Sequence, residues 1–113
     1  MIELKNLDTV KGIGYTNNNE ELYKRILIDF LGDYRDAIAK LRDLSLNDLE
    51  SCHILAHSIK GLTAIIGSEI LPPLFYEIEL GAKENADDLN SRIDNVQEPF
   101  QTLIDELENL KLN

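Results

Sequence analysis

The chain has 113 residues, 43% hydrophobic and 28% charged, a length that suits one domain, 1–113, with a modest core and a composition too apolar for disorder. Twenty-one Asp and Glu stand against eleven Lys and Arg, a formal net charge of -10, which opposes nucleic acid and anionic membranes as partners, the more so because the basic residues are scattered singly. The single cysteine, Cys52, permits neither an internal disulfide nor a thiol-based metal site.

The segment Met1-Ile2-Glu3-Leu4-Lys5 carries charges where a secretory signal needs a continuous apolar stretch, and no later run has the length of a membrane span. These features predict a cytoplasmic domain without membrane insertion. In the N-terminal segment, 1–16, Leu7 to Ile13 suit a brief helix over one end of the fold. The first long helix opens at Asn17-Asn18-Asn19-Glu20-Glu21, amides that cap followed by acids that suit the positive helix end. Its stripe runs Tyr23, Leu27, Phe30, Tyr34, Ala37, Leu41 and Leu44, in steps of four and three.

Ser45 and Asp48 have capping-box spacing, which predicts a second helix from there to about Ile66, with Gly67 as its left-handed stop. A third helix places Leu71, Leu74, Phe75 and Ile78 inward, has Pro72-Pro73 in its first turn, and ends between Gly81 and Asn85. The fourth, from about Asp87, carries Leu89, Ile93, Val96, Phe100, Leu103, Leu107 and Leu110, with Pro99 inside it. Strand alternation and hairpin turns are nearly absent. Short connections join antiparallel neighbours, so the expected fold is an all-α, up-down four-helix bundle over about 17–112, with a short extra N-terminal helix.

The second helix carries the chemistry. A rotation of about 100° per residue puts Cys52, Leu55, Ile59, Leu62 and Ile66 on one inward stripe and leaves His57 almost opposite, with His53, Lys60, Gly61 and Ala64 on the same outward side. Taken alone, an outward histidine is a tolerated surface residue. Gly61 changes that reading: a mid-helix glycine costs roughly 1 kcal/mol relative to Ala, and no turn or cap needs one here. It leaves a floor without a side chain beside the imidazole. Lys60, three residues on, sits near enough to place an ammonium beside a group carried on the ring.

The run His57-Ser58-Ile59-Lys60-Gly61, followed by Gly67, resembles the signature of the histidine-containing phosphotransfer domain, His-x-x-Lys-Gly with a further Gly six residues on. Gly12-Ile13, Asn19-Glu20-Glu21-Leu22-Tyr23 and Phe30 resemble the approach and first helix of such domains, so the likeness covers most of the chain from about Leu7. Leu62, Thr63 and Ile65 depart from the small or polar residues usual there. The resemblance implies a phosphorelay intermediate without kinase activity of its own. His57 would accept a phosphoryl group on Nε2 from the aspartyl phosphate of a response-regulator receiver domain and pass it to another receiver.

By the same resemblance Lys60 assists the phosphoryl group, Gly61 gives access, His53, Ala64 and Gly67 belong to the docking surface, and the partners are receiver domains and a hybrid sensor histidine kinase. The domain would need no cofactor of its own, the Mg²⁺ belonging to the receiver. Imidazoles titrate at about 6.5 in model peptides and are nucleophilic near neutrality without an activating base. Phosphoryl transfer needs mostly alignment and charge neutralisation.

Two other readings compete. His53 and His57 are four apart, but Glu50 as a third metal ligand lies seven residues from His57, roughly 10 Å along the axis, so no metal site is expected. A non-phosphorylated helical adaptor is the alternative function. Ser58 lies about 100° from His57 on the helix, and no oriented triad for a hydrolase is visible.

Overall fold

A computed structural model describes residues 2–112. Within them lie six α-helices and no strand: α1 Thr9–Gly14, α2 Glu20–Tyr34, α3 Ala37–Asn47, α4 Leu49–Ile65, α5 Leu71–Glu84 and α6 Leu89–Leu112. No described helix is long and apolar enough to cross a membrane.

Local chemistry sets most of the boundaries. The Asp8 carboxylate accepts the Lys11 N–H to start α1, and Asn19 accepts that of Leu22 at 3.0 Å to start α2, whose first turn carries Glu20 and Glu21 at the positive end of the helix dipole. The single first helix expected from the sequence is two. Arg35 keeps helical angles and its N–H still donates to Leu31, but the backbone leaves helical geometry at Asp36, with φ of -100° and ψ of 16°, and α3 resumes at Ala37. The apolar stripe survives this break, with Phe30 and Leu41 buried on either side of it. Periodicity reports which side faces the core, not whether backbone hydrogen bonding is continuous, so a two-residue turn is invisible to it.

The expected capping box at Ser45 is also replaced. Ser45 lies within α3 and donates to the Arg42 carbonyl. The cap of α4 is Asp48 itself, which accepts from the Ser51 N–H at 3.1 Å and the Ser51 hydroxyl at 2.6 Å. At the far end Gly67 takes a φ of +102°, while its N–H donates to Ala64 and that of Ser68 to Thr63. This pair of bonds is the Schellman stop that satisfies the last helical carbonyls. The Ser68 hydroxyl then accepts the Leu71 N–H, and Pro72 and Pro73 occupy the first turn of α5, where a missing N–H is harmless.

Helix α4 packs most extensively on α5. α5 also packs on α6, and α3 touches both α4 and α6, so each of these four helices contacts two others in a closed ring. Helix α2 lies against α6, and α1 against α2. The Phe100 ring of α6 meets Phe75 of α5 edge-on, with centroids 5.6 Å apart, and Phe30 of α2 at 6.2 Å. Such edge contacts add to what area burial supplies.

The short α1 is fixed by two close backbone approaches. A Cβ on Gly12 would lie 2.6 Å from the Ile66 carbonyl and 2.5 Å from the Tyr23 ring, and one on Gly67 would lie 2.3 Å from the Asp8 carbonyl. The Asp8 N–H donates to the Gly67 carbonyl at 2.8 Å, and the buried Tyr23 hydroxyl donates to the Ile66 carbonyl at 2.7 Å. The N-terminal segment is thereby fastened to the end of α4.

Candidate functional site

The buried stripe of α4 is Cys52, Ala56, Ile59 and Thr63, continued by Ile66 just past its end, with Leu55 and Leu62 half-buried beside it. The expected stripe used Leu55 and Leu62 in place of Ala56 and Thr63. At about 100° per residue the difference turns the helix by about 40°. Thr63 qualifies for burial because its hydroxyl is satisfied within the helix, donating toward the Ile59 and Lys60 carbonyls. The turn carries His57 from a position opposite the core to the flank beside α5.

On that flank the residues singled out from the sequence take different places. The His57 side chain is 66% exposed. Gly61 and Ala64 are exposed, and a Cβ on Gly61 would meet nothing within 4 Å. His53 is half-buried. Lys60 points less to solvent than expected, its side chain being 27% exposed. Gly67 is buried under the Asp8 backbone, so its place is in the helix stop and the α1 attachment, not on the docking surface that the resemblance assigned to it.

What brings three of these together is Glu79 of α5, a residue the sequence reading passed over. Glu79 is buried, with 6% of its surface exposed. One carboxylate oxygen accepts the Nδ1–H of His57, and the other accepts from the Lys60 ammonium at 3.0 Å. Its main-chain carbonyl, a pure acceptor, takes the Nδ1–H of His53 at 3.0 Å. The Lys60 ammonium also lies 5.0 Å from the centre of the Tyr76 ring, a cation–π distance. The pairing of Lys60 with Tyr76, and the hollow that His53 shares with Ala82 and Lys83, run α4 and α5 in opposite directions.

Burial pushes the Glu79 carboxyl pKa upward, but the hydrogen bonds from Lys60 and His57 and the charges behind them outweigh it, leaving the group below its ordinary value. Glu79 is therefore ionised at neutral pH and acts only as an acceptor. Its ring partner must donate, so in neutral His57 the proton sits on Nδ1 and the lone pair on Nε2, at the exposed edge of the ring. The chemistry on offer is an oriented imidazole nucleophile with a fixed counter-charge behind it and an ammonium at its side.

One sequence signal for Glu79 existed. It lies four residues after Phe75 and one after Ile78, at the margin of the apolar stripe of α5, and a carboxylate there needs a partner. Among the described residues no buried side-chain nitrogen or oxygen lacks a hydrogen bond, and no group of three or more His, Cys, Asp or Glu is placed to hold a metal ion. Comparison of the chain with protein-family models, with curated proteins and with solved structures gives no match.

Proposed function

We propose that this chain is a histidine-containing phosphotransfer domain that carries a phosphoryl group on His57 between response-regulator receiver domains. The observation that carries the reading is the exposed His57 ring with its Nδ1–H held by the buried Glu79 carboxylate, since that bond fixes the tautomer whose Nε2 is nucleophilic.

The transfer balances simply. The Nε2 lone pair attacks the phosphorus of an aspartyl phosphate, the bond from phosphorus to the carboxylate oxygen breaks, and the aspartate leaves as its carboxylate. The ring keeps its Nδ1 proton and becomes positively charged, a charge that the Glu79 carboxylate directly offsets. Lys60, 3.0 Å from the same carboxylate, is the cation this domain offers to the incoming phosphoryl oxygens, and the receiver's Mg²⁺ and acidic pocket supply the rest. Gly61 leaves the partner's backbone free to approach. The return reaction onto a second receiver uses the same geometry in reverse.

The ring of contacts among α3, α4, α5 and α6 suits an up-down four-helix bundle, a rigid base for one presented side chain. A carrier of this kind has no kinase activity of its own, works in the cytoplasm where receivers and hybrid sensor kinases exchange phosphoryl groups, and holds no cofactor. The test is incubation with a phosphorylated receiver domain. Acid-labile label that appears on the chain and disappears in His57→Gln supports the relay, whereas no label from any of several receivers leaves the helical adaptor.

A further inference from the structure

Glu79 orients two imidazoles, not one. Its carboxylate takes the Nδ1–H of His57 and its main-chain carbonyl the Nδ1–H of His53, so both neutral rings keep their lone pairs on Nε2. The two residues are four apart on α4, the spacing at which two imidazoles on one helix face can share an ion. A ligating histidine whose other nitrogen donates to a carboxylate or a backbone carbonyl is the usual arrangement behind a bound transition metal. Here both members of the pair have such an anchor before any metal arrives.

We infer that His53 and His57 form a two-imidazole chelate through Nε2 for a divalent d-block cation of the Zn²⁺ class, with water completing the coordination shell. Imidazole nitrogen selects zinc, copper and nickel over magnesium and calcium, which prefer oxygen. The third ligand weighed in the sequence, Glu50, is not needed; it lines the same surface hollow as His53, together with Lys83. The net charge of -10 draws cations toward the domain, and pairing of Lys60 with Glu79 offsets the nearest positive charge. The ion would occupy the lone pair that the proposed phosphoryl transfer uses. Competition between the two rests on that proposal, while binding does not.

The experiment is a zinc titration followed by long-range nitrogen–proton correlation NMR of the two imidazoles, on the wild type, His53→Gln and Glu79→Gln, each checked for helical content. Expected are paired shifts of both Nε2 signals in the wild type, about tenfold or weaker binding in His53→Gln, and a loss of similar size in Glu79→Gln as the His57 anchor is withdrawn. Binding of undiminished strength in His53→Gln, or shifts confined to other parts of the chain, overturns the site, as does an absence of binding. A second arm measures phosphoryl uptake from a receiver with and without zinc. Inhibition in the wild type but not in His53→Gln supports the competition, and equal inhibition in both overturns it. Failure of uptake without zinc tells against the relay alone and leaves the NMR result standing.

Discussion

The buried Glu79 carboxylate and the exposed His57 ring are joined across the α4–α5 interface by one hydrogen bond on Nδ1, and that bond determines which nitrogen of the imidazole is free. Glu79→Gln tests it. Lys60 can only donate, so the glutamine turns its oxygen toward Lys60 and its NH₂ toward His57, whose Nδ1 must then accept. The proton moves to Nε2 and the nucleophilic lone pair is lost. Uptake of phosphoryl from a receiver should fall by about a hundredfold or more in stopped-time labelling, with the change of tautomer visible in the imidazole NMR signals. An unchanged tautomer with an unchanged rate would remove Glu79 from the mechanism.

Gly61 separates stability from access. Nothing lies within 4 Å of a Cβ added there, so Gly61→Ala should stabilise the fold by roughly 1 kcal/mol in urea denaturation through helix propensity alone. Gly61→Gln, which keeps the fold but raises a side chain beside His57, should slow phosphoryl uptake by about tenfold. A rate as fast as the wild type would mean that the glycine gives no access.

Gly67 should behave in the opposite way. Its φ of +102° and the 2.3 Å approach of an added Cβ to the Asp8 carbonyl make Gly67→Ala costly, by at least about 2 kcal/mol. The loss should appear as a lower denaturation midpoint, and phosphoryl uptake per folded molecule should hold. A midpoint equal to the wild type would show that α1 detaches without consequence.

The pH dependence of stability has two limbs with different owners. The Tyr23 phenol is pushed by burial, then by Asp8 and Glu106, from 10.0 to about 12, so the folded state favours its protonated form. Its contribution is complete below pH 10 and is lost as the pH rises through about 12. Tyr23→Phe should flatten that alkaline limb and cost about 1–3 kcal/mol near neutrality, because the buried Ile66 carbonyl loses its donor. Glu79 works on the acid side. Its carboxyl lies below the ordinary value, so its contribution is present above the ordinary carboxylate range and is lost as the pH falls through the lowered value. Denaturation midpoints across the acid range should fall more steeply for the wild type than for Glu79→Gln.

Sequence alone determined the helical class, the helix stop at Gly67, the prolines in the first turn of α5, and the exposure of His57 beside Gly61. These are matters of local spacing, of backbone sterics and of residues that tolerate or refuse a given φ. Tertiary structure decided the rest. The break at Arg35–Asp36 leaves the apolar stripe in step, so periodicity carries no trace of it. The 40° turn of α4 depended on whether Ala56 and Thr63 or Leu55 and Leu62 packed inward, a choice between stripes of equal period made by the neighbouring helices. The partnership of His57, Lys60 and His53 with Glu79 joins residues 19 to 26 positions apart. Spacing along one helix reaches only a turn or two, so a carboxylate on the next helix becomes visible only when the two surfaces are in contact.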